Sequence, residues 1–431
     1  MTQGPAISII VSPFCEDYSP LLLNFKNYSC KIDVFLRVIM KKIAKFVAFA
    51  ALNFTALNLH ASPLETLLQG SKFSGEIGAY SETRRVISGT KTTYFNDTSW
   101  LVGSAALNYE LSFLDALKFG IGGRGSVPIY EGDRNYRTLH GKGDSTERIY
   151  EGDRALLSQL FLGYDDGVNT LKIGRFEMIN DWSSKIQDGV RVTSEAAPNL
   201  LLDASYSKRR GRAYLKEMWG FTKLNEGRGI FNAGATYKQG GASVKIYALY
   251  ASELFSALGG KISYESGGFQ SGAGEMKLGW MLHYARSDER KQSGDGSLAE
   301  AKIYGVLEGA KLTLAYVKSG KSVGWGSMNL AGDQIVFFEE GDVIYERDAR
   351  TYYAAFDTKI KKLNLGMLLG TTKYRLKRAD DKTYRQNELT ARLGYEIAKN
   401  LRAFATFDRT FKAQPRYPAM MQISAGLVYS F

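Results

Sequence analysis

Nine residues, Ile423-Ser424-Ala425-Gly426-Leu427-Val428-Tyr429-Ser430-Phe431, carry the plainest pattern in the chain. Ile423, Ala425, Leu427, Tyr429 and Phe431 fall on one face of an extended backbone, and Ser424, Gly426, Val428 and Ser430 on the other. Successive strand side chains point to opposite faces, so the alternation describes a strand with one apolar face. The same pattern recurs upstream. Met276, Leu278, Trp280, Leu282 and Tyr284 oppose Lys277, Gly279 and His283, while Phe231, Ala233, Ala235 and Tyr237 alternate with Asn232, Gly234, Thr236 and Lys238. Leu389, Ala391, Leu393 and Tyr395 alternate with Thr390, Arg392, Gly394 and Glu396.

About eighteen such segments are expected, each near the ~9–11 residues with which a tilted strand crosses a bilayer. They run at 72–81, 100–110, 116–127, 155–165, 169–177, 188–196, 199–210, 229–239, 242–251, 259–267, 275–287, 298–308, 311–319, 350–359, 362–375, 386–396, 400–412 and 420–431. Short turns (165–169, 239–241, 308–310, 361–362, 398–400) separate some of them. Longer polar links (82–99, 128–154, 177–187, 211–228, 288–297, 320–349, 376–385, 411–419) separate others. An all-β transmembrane antiparallel barrel has this division: short periplasmic turns, long external loops and an even strand number. Tyr109, Tyr164, Tyr237, Tyr395 and Tyr429 end strands running one way, and Tyr206, Tyr250, Tyr284 and Tyr316 end strands running the other. They are therefore expected to form two aromatic girdles. Backbone groups in hydrocarbon must all be paired, so the sheet must close, and ~18 strands leave room for a watery bore.

Composition agrees. Mean hydropathy is −0.23, and no apolar run has the ~20 residues of a membrane helix. Aromatics make up 13% of the 431 residues, which argues against disorder. Both cysteines, Cys15 and Cys30, precede the strands, which excludes a disulfide framework or thiol chemistry in the barrel. The net charge of +12 is spread along the chain rather than gathered into a nucleic-acid module. The basic stretch Met40-Lys41-Lys42-Ile43-Ala44-Lys45, the apolar 46–59 and a small residue at Ala61 have the order of a secretory signal. The expected organisation is a signal peptide at 40–61, translation starting at Met40, an extension at 1–39 outside the working protein, and one barrel at 62–431.

Secretory signal, period-two strands and terminal aromatic together resemble a Gram-negative outer-membrane porin. With Lys172-Ile173-Gly174-Arg175 before a loop and Leu202-Asp203-Ala204-Ser205-Tyr206-Ser207 beyond it, the chain is most similar to the OprD-like family. The resemblance implies an 18-stranded barrel for passive diffusion of small hydrophilic solutes, without cofactor or metal. It implies that the third external loop (177–187) and the seventh (320–349) fold inward. That makes Glu177, Asp181, Lys185, Glu339, Glu340 and Asp342 candidate constriction groups. It further implies a basic ladder on the lumen wall, and Tyr429 and Phe431 as the signal read by the barrel-assembly machinery. Alternation assigns to the lumen Lys118, Arg124, Lys172, Arg191, Arg209, Lys238, Lys245, Lys277, Arg392 and Arg402, against Asp203, Glu396 and Asp408. The excess of cations favours anions or carboxylates, and the acidic seventh loop could reverse this locally. Strict alternation puts Arg175 on the lipid face, so a bulge or the strand end must accommodate it. A homotrimer is one assembly open to such a barrel.

Other signals weigh less. Gly120-Ile121-Gly122-Gly123-Arg124-Gly125 matches a dinucleotide motif, but it sits inside a strand rather than before a helix. Tyr-Glu-Gly-Asp-Arg occurs at 130–134 and 150–154. Its carboxylates Glu131, Asp133, Glu151 and Asp153 could hold Ca²⁺, although a duplication presenting solvated charge is the simpler reading. A barrel hydrolase would need a His base, and only His140 and His283 follow the signal, neither with a catalytic motif. A surface adhesin without transport is the remaining alternative.

Overall fold

The computed structural model describes residues 70–91, 95–113, 116–132, 155–272, 274–290, 294–325, 342–376, 382–414 and 417–431. The signal segment 40–61, the extension 1–39, His140, Glu339, Glu340, Asp133, Glu151 and Asp153 lie outside the described residues, as does the side chain of Asp342. The chain forms strands β1 (Ser71–Ser88), β2 (Thr98–Phe113), β3 (Leu117–Glu131), β4 (Ala155–Asp165), β5 (Asn169–Glu177), β6 (Ile186–Ala197), β7 (Leu200–Tyr214), β8 (Glu217–Lys223), β9 (Ile230–Gln239) and β10 (Ala242–Ala251). There follow β11 (Phe255–Glu265), β12 (Phe269–Ser271), β13 (Gly274–Glu289), β14 (Gly294–Leu307), β15 (Ala310–Ser319), β16 (Arg347–Ile360), β17 (Leu363–Arg375), β18 (Tyr384–Ala398), β19 (Leu401–Thr410) and β20 (Ala419–Ser430).

Two of these are accessories. β8 turns back along β7, and β12 pairs only with β13. The other 18 pair antiparallel in chain order, and β1 pairs with β20, so Glu76 faces Ser430 and the cylinder is closed. Closure leaves no edge whose N–H and C=O groups would lie bare in hydrocarbon. All eighteen segments read from the sequence coincide with or overlap a wall strand.

The two faces of the wall differ as alternation requires. On β20, Ile423, Ala425, Leu427 and Tyr429 are exposed on the outside, while Gln422, Ser424 and Val428 are buried inside. Leu162, Ile246, Leu258 and Ile303 are among the most exposed apolar side chains. Such an all-round apolar exterior suits hydrocarbon rather than water. The tyrosines expected in girdles all stand on outward positions, with Tyr206 against Phe231 (4.6 Å between ring centroids) and Tyr316 against Tyr352 (4.8 Å).

Turn chemistry sets the register at one end. Gly240 and Gly241 have φ of +55° and +85°, so they make the two-residue left-handed turn joining β9 to β10. At the β4–β5 turn, Asp166 accepts hydrogen bonds from the backbone N–H of Asn169 (2.6 Å) and Val168 (2.9 Å), which hold its carboxyl down at about 2. Long and short links do not separate as strictly as the sequence suggests. Residues 252–254 make a very short external link, because β11 begins at Phe255 rather than 259. Residues 266–272 belong to a longer link carrying β12 at the opposite end.

Candidate pore and the loops folded into it

The third external loop, between β5 and β6, turns into the bore. Asn180 reaches Ser205 Oγ through its side-chain amide (2.7 Å), and Asn232 donates to the Asp181 carbonyl (2.6 Å). The Asp181 carboxylate is buried between Lys245 and Lys261, the latter at 2.8 Å. Burial alone would push its pKa up, but the two ammonium groups outweigh that and hold it below the ordinary Asp value. Trp182 then inserts completely. Its indole N–H donates to Tyr247 Oη (2.9 Å), which meets His283 Nε2 at 2.7 Å. Its ring lies 4.8 Å from Trp325 and 6.0 Å from Tyr345, which belong to the seventh loop. That loop is fastened by Ser319 Oγ donating to the Ile344 carbonyl (2.5 Å). Together these residues join Tyr247, Leu249, Phe255, Leu298, Tyr353 and Leu368 in one buried cluster against β10–β17.

A third inward element enters from the other side. The tip of the β7–β8 hairpin, in the fourth external link, buries Leu215 and Met218 against Tyr80, Trp100, Val102 and Val428 on β1, β2 and β20. Arg124 holds it there, donating from Nε to the Ala213 carbonyl (2.8 Å) and from Nη1 to Ser104 Oγ (2.8 Å), and pairing with Glu76. The family resemblance implied inward folding of loops three and seven only. The hairpin escaped notice because its two apolar anchors sit among Arg212, Lys216 and Glu217 in a stretch that reads as polar link.

The register places the remaining candidates. Lys118 pairs with Asp165 (2.7 Å) and Arg191 with Asp203 (2.9 Å), both on the inner face. Lys172 lies 4.6 Å over the Phe161 ring. Glu396 pairs with Lys359 (2.9 Å), and Asp408 is buried and accepts from Thr390. Arg124 faces inward as expected, but it is covered by the hairpin and 7% exposed, so it cannot line an open passage. Arg209 is a correction. A bulge at Lys208 shifts the β6–β7 register, so Arg209 stands opposite Asp188 on the outer face rather than the lumen face. Arg175 stays on that outer face near the end of β5, satisfied by two bonds to Asp188 (2.6 and 3.0 Å), by the Leu157 carbonyl (3.1 Å) and by the Phe221 ring.

Among the loop groups, Glu177 accepts from Tyr214 Oη (2.8 Å), and Lys185, at φ +83°, sets its ammonium 5.8 Å from the Tyr214 ring. Tyr429 and Phe431 are exposed on the outside. The Phe431 backbone is bonded both ways to Gly75 of β1, and its ring lies 6.2 Å from Phe73. The Gly120–Gly125 stretch lies inside β3, where any Cβ on Gly120 would strike the Phe161 ring, so the glycine makes room in the wall. His283 has Glu300 at 3.7 Å besides Tyr247, and Trp182 of the third loop packs on this wall group, 6.1 Å from the His283 ring.

Below the loops, toward the short-turn end, the wall opens into a hollow of about 730 Å³. Lys311, Asp357, Lys359, Arg392 and Arg402 line it. Of these, sequence reading named only Arg392 and Arg402. Lys172, Lys238, Lys277, Lys311 and Arg402 face inward without an ion pair among the described residues, whereas Lys118, Arg191, Lys245, Lys302 and Lys359 are matched by carboxylates.

No curated protein matches the chain in sequence. The crystal structure of OccAB3 from Acinetobacter baumannii superposes with a TM-score of 0.66 at 13% identity, covering 84% of this chain and 99% of that one. Pseudomonas aeruginosa OpdK, crystallised with vanillate, gives 0.63 at 13% identity over 85% and 99%. OccD3 (OpdP) from the same organism gives 0.65 at 13% over 85% and 92%. This chain is similar to all three in fold. A family model described as "Putative outer membrane protein" matches residues 56–277, just over half the chain. The chain thus belongs to that family, and its closed 18-stranded wall is a porin-type barrel of the Gram-negative outer membrane.

Proposed function

We propose that the barrel is a diffusion channel for small hydrophilic solutes, with a preference for anions such as carboxylates. The observation that carries this is the wall below the loops, where Lys311 and Arg402 border an open hollow without an ion pair among the described residues, while Lys359 beside them is matched by Glu396. An unmatched cation on a wet wall raises the local concentration of anions and orients a carboxylate. The third loop, the seventh loop and the β7–β8 hairpin narrow the external half from opposite sides, so a solute meets the constriction first and the basic wall second. In that scheme Asp181 positions the third loop, and Arg124 positions the hairpin rather than touching solute. Tyr429 and Phe431, on the outer surface of the closing strand, are the residues offered to the assembly machinery. The co-crystallised vanillate of OpdK, a carboxylate, is consistent with such a cargo.

Planar-bilayer recording tests the reading. Purified protein should give stepwise open-channel currents with a reversal potential, across a salt gradient, on the anion side. Lys311→Gln with Arg402→Gln should lower the anion-to-cation permeability ratio about two- to fivefold, a change of ~0.5–1 kcal/mol in wall electrostatics. Absence of steps would favour a surface adhesin. Steps with an unchanged ratio would discard the basic wall.

A further inference from the structure

One arc of the outer surface carries charge where neighbouring strands would normally avoid it. On β15, β16, β17 and β18, Lys318 stands opposite Arg350, Arg350 opposite Lys373, and Lys373 opposite Arg385. Four cations thus form an unbroken cross-strand row, each within three residues of the external end of its strand. They share the outward face with Tyr316 and Tyr352, which precede them by one outward step, and with Leu314, Ala354, Leu369 and Leu389, which precede them by two. Along β16 the outward residues from Ile360 to Arg350 cover ten steps, or about 26 Å of membrane depth at the usual rise and tilt. On β15 and β16 the order is hydrocarbon contact, then aromatic ring, then cation, and on β17 and β18 polar Thr371 and Asn387 take the middle step, as expected where acyl chains give way to headgroups.

Like charges directly opposite on a sheet repel and destabilise it. Among the described residues only Asp348 brings a carboxylate to this row, 3.4 Å from Arg350, and it is shared with Arg375 at 3.8 Å. Lys318, Lys373 and Arg385 make no ion pair among the described residues. We infer that the row Lys318–Arg350–Lys373–Arg385 is a docking site for the phosphate groups of an anionic lipid in the outer leaflet. Three strand gaps make the row about 14 Å long, and strand tilt carries it obliquely through the headgroup layer, so more than one phosphate can be engaged at once. Arg350 and Arg385 supply forked donors suited to phosphate, and Lys318 and Lys373 supply point charges. The lipid supplies negative charge that, among the described residues, only Asp348 brings to this row.

The test measures binding of lipopolysaccharide to the purified full-length barrel in detergent, by native mass spectrometry and by the shift of the thermal midpoint. Wild type and a control altered at the opposite end (Lys361→Gln, Lys362→Gln, Lys399→Gln) should bind alike. The quadruple variant Lys318→Gln, Arg350→Gln, Lys373→Gln, Arg385→Gln should bind at least tenfold more weakly. The double variant Lys318→Gln, Lys373→Gln should fall between, and Lys318→Arg with Lys373→Arg should retain binding, so that poor folding of the quadruple variant would leave the comparison intact. Enzymatically dephosphorylated lipopolysaccharide should abolish the difference between variants. Equal binding by wild type and the double variant, or no dependence on lipid phosphate, would overturn the proposal. So would displacement of the lipid by inorganic phosphate at millimolar concentration, which would assign the row to a free anion.

Discussion

Asp181 shows how one side chain governs a loop. Its carboxylate is 3% exposed and answers two ammonium groups on two strands, so Asp181→Asn would leave Lys245 and Lys261 facing each other with no counter-charge. Removing one partner of such a set costs about 3 kcal/mol. Hydrogen exchange at the amides of 178–185 should then quicken roughly a hundredfold. The pH dependence has a definite sign. Because the folded carboxyl is held below the ordinary 3.8, the docking energy is fully present above that value and is lost only as pH falls below it. Wild-type currents should therefore stay quiet at neutral pH and become noisy only in strong acid, with the noise absent from that acid range alone if Asp181 is not the tether. At this scale the sequence was partly legible. Lys118, Lys172, Arg191 and Arg402 face inward as alternation requires, since the rule holds wherever the ladder is regular. Arg209 departs from it because a single unpaired residue, Lys208, reverses every side chain beyond it, and nothing in the local composition announces that bulge.

The loops are governed by anchors rather than by their overall polarity. Trp182 fills the junction of the third and seventh loops, and Trp182→Ala should cost about 3 kcal/mol through the void it leaves. Single channels of that variant should show larger and less steady conductance, whereas unchanged current would place the constriction elsewhere. The hairpin offers a cleaner lever. Leu215 packs over Gly78 on β1, where an added Cβ would meet the Leu427 carbonyl of β20 at 2.8 Å and a Leu215 methyl at 3.2 Å. Leu215→Ala with Met218→Ala should loosen the hairpin tip from the wall while leaving the wall strands themselves unaltered. Proteolysis within 215–218 should speed up while the heat-stable fold persists. Both results depend on contacts between segments far apart in sequence, Leu215 with Tyr80 and Trp182 with Trp325. That is why strand spans were readable from the chain and loop destinations were not.

The barrel as a whole was legible because its solvent dictates it. Hydrocarbon outside and water or polar packing inside impose a period of two on every wall strand, and the demand that each backbone group be paired forces closure. Position 431 tests how much the closing strand relies on its ring. Phe431→Ala keeps the backbone bonds to Gly75 but loses the contact with Phe73, a cost of about 1 kcal/mol. Unheated protein should still migrate as the compact form on gels, with its unfolding temperature lowered by a few degrees. Removal of 419–431 should abolish that form entirely, because β1 and β19 would both be left as bare edges.

The seam between β1 and β20 carries a last consequence, one of timing. The first strand of the wall cannot acquire its second neighbour until β20, the last wall strand, has arrived, and a ring missing one stave offers two open ladders to any passing strand. The nascent protein must therefore travel from ribosome to membrane in an unfinished and adhesive condition. Until then, sticking to other unfinished copies competes with closure, whatever stability the sealed ring will later possess.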